Sequence, residues 1–208
     1  MGILDLFRRG ATAESTQRVQ RKSTGLIELD KQTSGIESMT VLNLGPTSPG
    51  NISYFTNLGH GIFSEDVAAA AQEPEYYTEQ DGKRVFDTKK FLDENLVPTG
   101  RRFDIALCWD VFDYVDEALL EPLAKRIYTL TKPGGYLLAF FHSKTGAGPS
   151  KYYRYHIIGP GMLEMQPGPD IAQKRTLNNR KIEDFLRDFS NVKFMLARDN
   201  IREVLAKR

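Results

Sequence analysis

Short apolar runs alternate with helix-length amphipathic segments through most of this chain, from residue 39 onward. The strand-like runs are MTVLNL (39–44), GHGIFS (59–64), FDIALCW (103–109) and YLLAFFHS (136–143). The helix-like segments between them are NISYFTNLG (51–59), EDVAAAAQ (65–72) and EALLEPLAKRIYTLT (117–131). Apolar strands of this kind are buried on both faces, and strands that alternate with helices are typical of parallel α/β sheets. We therefore predict an α/β domain with a mostly parallel central sheet.

The pattern changes in two later parts of the chain. The segment RVFDTKKFLDENL (84–96) mixes an edge-like strand with a helical piece. Near the carboxyl terminus, RKIEDFLRDFS (180–190) predicts an amphipathic helix. Its inward-facing residues are Ile182, Phe185, Leu186 and Phe189. The next residues, 191–200, alternate like a strand, and IREVLAKR (201–208) continues as a second strand or as a helix.

The first 24 residues differ from the rest of the chain. MGILDLFRRG combines apolar side chains with Arg8 and Arg9. Three interpretations of residues 1–9 stay open: docking on a membrane surface or a protein partner, a frayed end, or a helix packed on its own domain. Residues 10–24 are polar and predict a linker or an exposed helix. We therefore divide the chain into an amphipathic segment with a linker (1–24) and a domain (25–208) that opens with a short helix.

Composition excludes several classes of protein. A formal net charge of +1 gives no global attraction for nucleic acid. The single cysteine, Cys108, excludes an internal disulfide and an all-cysteine metal site, and it fits a reducing compartment. No metal site is indicated. No apolar run approaches the roughly 20 residues that span a bilayer. We expect a cytoplasmic protein.

Small and acidic residues follow the predicted strands at the positions where α/β proteins bind ligands. Ligands of open parallel sheets bind beyond the carboxyl ends of the strands, where the strand order reverses. After the first strand, Gly45 permits a sharp turn and close approach to a ligand, and Asn51 is expected to cap the next helix. Glu65 and Asp66 end the second strand about 20 residues later, where an acidic side chain commonly binds ribose hydroxyls. Asp87 is expected near an adenine amino group.

Three blocks of sequence carry a resemblance to a known family. They are VLNLGPTSPGN (41–51), FDIALCWDVFDYV (103–115) and LTKPGGYLLAFF (130–141). In this order they resemble the motifs of class I S-adenosylmethionine-dependent methyltransferases, over residues 39–143. The resemblance implies a Rossmann-like methyltransferase fold with about seven strands, helices on both faces of the sheet, and S-adenosylmethionine as the cofactor. The cofactor-binding residues that it implies are Asn43, Gly45, Thr47, Ser48, Gly50, Glu65, Asp66 and Asp87.

The first block departs from the family pattern. Asn43 stands where an acidic residue is usual, and Thr47 and Pro49 stand where later glycines are usual. Asn43 still forms hydrogen bonds but has no carboxylate, so any contribution that depends on charge is lost. Pro46 and Pro49 stiffen the loop and remove two backbone donors. The remaining small residues are still able to line a ligand.

Three residues at strand exits are candidates for catalysis. Methyl transfer from a sulfonium depends on positioning and exclusion of water, and some acceptors also need a base. Asp110 would orient the acceptor or accept a proton, or it would simply cap the following helix. His142 titrates near neutrality and is either a base or a hydrogen-bonded residue at a strand end. Tyr114 is a catalytic residue or a wall of the pocket.

An aromatic and basic cluster, PSKYYRYHII (149–158), follows the fifth strand of the resemblance. Tyrosines between basic residues are able to stack on bases and contact phosphates, as in proteins that bind single strands. We favour another interpretation, in which an exposed strand or lid loop covers the mouth of the site and contacts the substrate.

Two functional hypotheses follow from these features. The first is a methyltransferase of an unidentified acceptor, which uses S-adenosylmethionine in a pocket at the carboxyl ends of the strands. The alternative is a methyltransferase-like protein that has lost catalysis and acts as a binding or scaffold partner. A nicotinamide-dependent oxidoreductase ranks below both because the loop lacks the G-x-G-x-x-G pattern.

Overall fold

The computed structural model describes residues 18–143, 152–196 and 199–208. The docking segment that we predict for residues 1–9 lies outside the described residues, as do residues 10–17 of the linker. The same holds for residues 149–151 of the aromatic cluster. The expectations for these segments stay predictions.

The described residues form eleven strands and seven α-helices. The strands are β1 (Val19–Lys22), β2 (Thr40–Asn43), β3 (Gly61–Ser64), β4 (Tyr77–Gln80), β5 (Lys83–Phe86), β6 (Phe103–Trp109), β7 (Thr131–His142), β8 (Tyr153–Gly159), β9 (Met162–Pro167), β10 (Ser190–Leu196) and β11 (Ile201–Lys207). The helices are α1 (Thr24–Gln32), α2 (Pro49–Asn57), α3 (Val67–Ala70), α4 (Thr88–Glu94), α5 (Val111–Tyr114), α6 (Leu120–Leu130) and α7 (Asn179–Phe185).

The central sheet has six strands in the order β10-β11-β7-β6-β2-β3. Strands β3, β2, β6 and β7 are parallel to one another, whereas β11 is antiparallel to both β7 and β10. The chain passes from β2 to β3 on one side and later returns to β6 on the other side of β2. The strand order therefore reverses at β2, and the carboxyl ends of β2 and β6 are the expected place for a ligand. The predicted α/β class is confirmed, with six strands in place of about seven.

A separate hairpin explains the strand count. Residues 83–86, which overlap the predicted edge-like strand, pair antiparallel with β4 instead of joining the central sheet. The turn between these strands is Asp81-Gly82, and both residues have positive φ angles, 50° and 70°. An Asp-Gly pair favours this type of two-residue turn because both residues tolerate that conformation. The hairpin therefore has a local cause in the sequence.

Alternating side chains of the sheet fill two hydrophobic cores, one on each face. On one face, Ile105 and Leu107 pack with apolar residues of α1 and α2. On the other face, Ala106 and Cys108 pack with apolar residues of α3, α4, α6 and α7. Helices on both faces of the sheet are thus confirmed, and so is the amphipathic helix predicted near residue 180.

A smaller sheet, in the order β1-β9-β8, packs on the same face as α1 and α2. Strand β1 shows that the prediction of a linker or an exposed helix is wrong for residues 19–22, since Val19–Lys22 pair with β9. The sequence VQRK lacks the apolar pattern of a buried strand, because the one inward-facing residue, Arg21, is charged. Arg21 forms an ion pair of 2.7 Å with Glu203 on β11. This ion pair fastens β1 to the central sheet.

The carboxyl-terminal segment, open between strand and helix in the sequence, is strand β11. It pairs antiparallel with β10. Asn200, immediately before β11, has a φ angle of 62°. Within residues 18–143, 152–196 and 199–208, no helix has the length and apolar content needed to cross a membrane. The cytoplasmic location stays a prediction.

Candidate functional site

The loop after β2 ends at a helix cap that differs from the predicted one. Ser48 is the N-cap of α2, and its side chain accepts a hydrogen bond of 3.1 Å from the backbone nitrogen of Asn51. Pro49 occupies the first turn of the helix, where a missing backbone N–H costs little. The predicted cap at Asn51 is therefore wrong, because Ser48 lies one turn earlier and has the same capping ability.

Asn43 organises this loop through hydrogen bonds in three directions. Its Nδ2 donates to the backbone oxygen of Gly45 at 2.9 Å and to Oγ of Ser64 at 3.3 Å. Its Oδ1 accepts from Nε1 of Trp109 at 2.6 Å. A carboxylate would accept from the indole but has no proton for the Gly45 carbonyl. The amide at this position therefore suits the loop that is present.

Trp109 covers the loop from the end of β6. Its φ angle is 46°, a left-handed conformation that costs free energy for a residue with a side chain. A Cβ atom on Gly45 would lie 2.9 Å from Cδ1 of Trp109, so the ring touches the glycine backbone. The indole stacks on Tyr155 with ring centroids 5.1 Å apart and planes 8° apart. Trp109 is thus a buried residue of the core, and it also covers the loop.

Asp110 follows Trp109 and is completely buried. It occupies the N-cap position of α5 but makes no capping hydrogen bond with its side chain. Its Oδ2 instead accepts a hydrogen bond of 2.9 Å from the phenol of Tyr155. The pKa of Asp110 is raised to about 7, mainly by burial. The positive charge of protonated His142 opposes this shift, and the negative charge of Asp113 adds to it.

His142 and Asp113 form a buried pair beside Asp110. Oδ2 of Asp113 lies 2.9 Å from Nδ1 of His142 and accepts the backbone N–H of His142 at 2.7 Å. Nε2 of His142 lies 4.0 Å from Oδ2 of Asp110. Burial lowers the pKa of His142, but the hydrogen bond that its ring donates to Asp113 and the charges of both carboxylates outweigh burial, so the pKa is raised. For Asp113, in contrast, burial raises the pKa.

The aromatic cluster packs onto this site as a tyrosine arm, which we define as residues 152–157. Tyr152 and Tyr155 are 0% and 1% exposed, so the expected exposed strand or lid loop is wrong for these residues. Oη of Tyr152 donates to Oδ1 of Asp66 at 2.8 Å, and the ring packs edge-on against Tyr114 at 5.1 Å. Tyr155 lies on β8, and Tyr152 immediately precedes that strand.

Two residues of the loop and α2 hold the tyrosine arm in place. Asn51 donates to the backbone oxygen of Tyr155 at 3.0 Å and accepts from the backbone nitrogen of Ile157 at 2.7 Å. Ser48 Oγ lies 2.7 Å from Nδ1 of His156. A Cβ atom on Gly50 would lie 3.1 Å from the backbone oxygen of Ile157. The first sequence block therefore contacts the arm along its length.

Replacing Asn51 by alanine is expected to lower the free energy of unfolding by about 2–4 kcal/mol. The change leaves one buried N–H and one buried C=O of the arm without partners, and each unsatisfied group costs about 1–3 kcal/mol. Urea unfolding followed by circular dichroism measures the difference. Asn57→Ala, at the exposed end of the same helix, is the matched control and is expected to change stability by less than about 0.5 kcal/mol. Equal stabilities of the two variants would show that the hydrogen bonds of Asn51 do not hold the tyrosine arm in place.

The acidic residues predicted for ribose and adenine occupy different places. Asp66 caps α3 and receives the phenol of Tyr152, and burial raises its pKa. Glu65 accepts the backbone N–H of Leu96 at 2.7 Å, so it supports a neighbouring loop. Asp87 caps α4 after the hairpin, with its carboxylate 2.9 Å from the backbone nitrogen of Lys90. No hydrogen bond found in the described part of the chain connects Asp87 with the loop after β2.

The structure thus brings together most of the predicted site residues. Those linked by direct contacts or through the tyrosine arm are Asn43, Gly45, Ser48, Gly50, Asp66, Asp110, Tyr114 and His142. Thr47 is exposed on the outer side of the loop. Sequence reasoning missed Asp113, although its place three residues after Asp110 offered a signal, since residues at that spacing share a helix face.

The described side chains of Trp109, Tyr152 and Tyr155 lie over the loop after β2 and the neighbouring strand ends. A cavity of about 350 Å³ lies between α1 and α2 and contains none of the predicted site residues. Among the described residues, no group of three or more His, Cys, Asp or Glu side chains is arranged to hold a metal ion.

Comparison with solved structures identifies the fold. An S-adenosylmethionine-dependent methyltransferase from Clostridium acetobutylicum superimposes with a TM-score of 0.52 at 14% identity, over 88% of this chain and 89% of that one. This chain has the class I methyltransferase fold. The resemblance of the three sequence blocks is confirmed at the level of the fold. No protein-family model and no curated protein sequence matches the chain.

Two further methyltransferase structures are less similar. One is 1,6-didemethyltoxoflavin-N1-methyltransferase from Burkholderia thailandensis with bound S-adenosylhomocysteine, at a TM-score of 0.48 and 15% identity, over 88% of this chain and 76% of that one. The other is a methyltransferase from Methanosarcina mazei, at a TM-score of 0.46 and 15% identity, over 83% of this chain and 93% of that one.

Proposed function

We propose that this protein is an S-adenosylmethionine-dependent methyltransferase of an acceptor still to be identified. One observation carries the proposal: at the end of the second parallel strand, the carboxylate of Asp66 accepts a hydrogen bond from a hydroxyl, that of Tyr152, at 2.8 Å. This is the position where an acidic side chain commonly accepts the hydroxyls of a ribose. The fold and the reversal of strand order at β2 support the same place for a nucleoside.

The polar groups of the site fit the cofactor, whereas the space around them does not in the described arrangement. Asp66 suits the ribose, and the small residues of the loop after β2 suit the methionine part. Tyr152 and Trp109, however, both reach Gly45: a Cβ atom there would lie 3.6 Å from Oη of Tyr152 and 2.9 Å from the indole. The tyrosine arm therefore occupies the volume that the cofactor needs.

The groups proposed to act on the acceptor lie next to this volume. Asp113 holds Nδ1 of His142, so Nε2 of His142 is directed to the side of Asp110. The pKa of Asp110 is raised to about 7 and that of His142 is raised above its ordinary value, which suits groups that hold or release a proton. We assign them to binding the acceptor's proton, with Tyr114 as a wall of the site.

A second candidate function is a methyltransferase-like protein that binds a partner and has lost catalysis. The filled site favours it, because the hydroxyls of Tyr152 and Tyr155 already satisfy Asp66 and Asp110. Under this hypothesis, the arm is a permanent part of the core.

Titration with S-adenosylhomocysteine in a calorimeter tests the proposal, and we expect saturable binding. An analogue without ribose hydroxyls is expected to bind about 10- to 100-fold more weakly, since a hydrogen bond to a charged group contributes about 1.5–3 kcal/mol. Asp66→Ala is expected to bind both ligands equally. This ratio of affinities does not depend on how easily the tyrosine arm moves. Absence of heat and of any thermal shift at millimolar ligand, both in the wild type and in variants that remove the ring or the hydroxyl of Tyr152, would contradict the proposal and favour the second candidate.

Asn178→Ala is the matched control for that experiment. Asn178 caps α7 as Asp66 caps α3, but it lies on an exposed part of the chain. This variant is expected to keep the full difference between the two ligands.

A further inference from the structure

We propose that Tyr152 is an internal competitor for the cofactor position, so that the tyrosine arm must leave the site before S-adenosylmethionine binds. This inference rests on the proposed function, and it specifies how the site is regulated. It makes the described arrangement a closed, autoinhibited state of the enzyme.

The phenol of Tyr152 takes the place of a ribose hydroxyl. It donates to Oδ1 of Asp66, and it lies against Gly45, where the loop after β2 comes closest to a ligand. The ring is completely buried and packs edge-on against Tyr114. One aromatic residue therefore occupies the space of the nucleoside and its principal hydrogen-bond acceptor.

Tyr155 closes the acceptor side of the same site. Its ring stacks on Trp109, and its hydroxyl donates to Oδ2 of Asp110 at 2.9 Å. The other oxygen of Asp110 is buried without a hydrogen-bond donor in the described part of the chain. A buried, half-satisfied carboxylate is costly, and it is more typical of a binding site than of a permanent core.

Side-chain contacts, and no backbone pairing among the described residues, join the tyrosine arm to the central sheet. Strand β8 pairs with β9 and not with a strand of the six-stranded sheet. The described hydrogen bonds between the arm and the site involve side chains, from Ser48, Asn51, Asp66 and Asp110. Opening therefore breaks these bonds and leaves the backbone ladder of the central sheet intact.

Competition of this kind reduces the measured affinity by the fraction of molecules that are open. Removing the competing ring raises that fraction and also creates space beside Asp66. Tyr152→Ala is therefore expected to bind S-adenosylhomocysteine at least about tenfold more tightly than the wild type. Tyr152→Phe removes only the hydroxyl and is expected to gain about threefold to tenfold. Tyr128→Ala, which truncates a partly buried tyrosine of α6 outside the arm, is the matched control and is expected to keep the wild-type affinity.

The single tryptophan provides a readout that is independent of activity. Trp109 is 2% exposed and stacked on Tyr155 in the closed state, so acrylamide should quench its fluorescence poorly. Opening of the arm unstacks the pair. We expect S-adenosylhomocysteine to change the emission and the quenching of Trp109 in the wild type, and Tyr152→Ala to show part of this change without ligand.

The outcomes separate the inference from the proposed function. Tighter binding by the Tyr152 variants, together with the change at Trp109, supports both. Equal affinities for wild type, Tyr152→Phe and Tyr128→Ala, with Trp109 unchanged on binding, would overturn the competition and leave the methyltransferase proposal standing. Absence of binding to the wild type and to both Tyr152 variants would overturn the two together. Tyr152→Phe keeps the buried ring, so it tests the inference even if Tyr152→Ala does not fold.

Discussion

Glu203→Ala is expected to lower the free energy of unfolding by about 3–5 kcal/mol, because it removes the fully buried carboxylate that pairs with Arg21 and accepts a buried backbone N–H. Arg21 then keeps only its pair with the partly exposed Asp199. The side chains of Arg21 and Glu203 are 4% and 1% exposed, and their charged atoms lie 2.7 Å apart. Oε2 of Glu203 also accepts from Oγ of Ser23 at 2.9 Å and from the backbone N–H of Gly25. One carboxylate therefore joins β1, the start of α1 and β11.

Chemical unfolding in urea measures this change, and two controls define its origin. Lys89→Ala breaks an exposed pair with Asp93, whose side chains are 86% and 56% exposed, and is expected to cost less than about 0.5 kcal/mol. The double variant Arg21→Met with Glu203→Leu is expected to recover much of the loss, since apolar residues often replace a buried ion pair without cost. A Glu203→Ala variant as stable as Lys89→Ala would show that the pair is not needed.

Asp110→Asn is expected to raise the stability of the protein at neutral pH relative to the wild type, by up to about 4 kcal/mol. The pKa of Asp110 is about 7 in the folded protein, compared with about 3.9 when unfolded. Between these values the folded state binds more protons than the unfolded state, so the free energy of unfolding falls as the pH rises from about 4 to 7. The asparagine does not titrate, and its amide oxygen is still able to accept the hydroxyl of Tyr155.

Urea unfolding at several pH values between 4 and 8 measures this effect as a difference in slope. His142 contributes with the same sign, because its raised pKa means that stability is lost as the pH rises through that value. His142→Gln, which removes the positive charge that opposes the shift, is expected to move the Asp110 step to higher pH. Carbon-13 NMR of the carboxyl group follows the titration directly. Parallel stability curves for wild type and Asp110→Asn would refute the assignment.

Local periodicity was sufficient to predict most elements of this fold. The strands near residues 41, 62, 106 and 138 and the helices α2, α6 and α7 have the apolar patterns of their buried faces. The sequence failed at β1, because its inward-facing residue is Arg21 and its partner, Glu203, is distant in the chain. The β4–β5 hairpin was missed although its Asp-Gly turn was a usable signal.

The candidate site divides in the same way between local and distant causes. The sequence by itself determined the parallel sheet, the loop after β2 and the acidic residues at the strand ends, because these depend on hydrophobic period and on local turn chemistry. Only the tertiary structure decided that Tyr152 and Tyr155 fill the site and that Asp113 pairs with His142. These contacts join residues that are far apart in the chain, and tyrosine suits both an exposed lid and a buried, hydrogen-bonded core. Burial by distant elements, which no local pattern records, therefore decides whether this methyltransferase fold is open or closed.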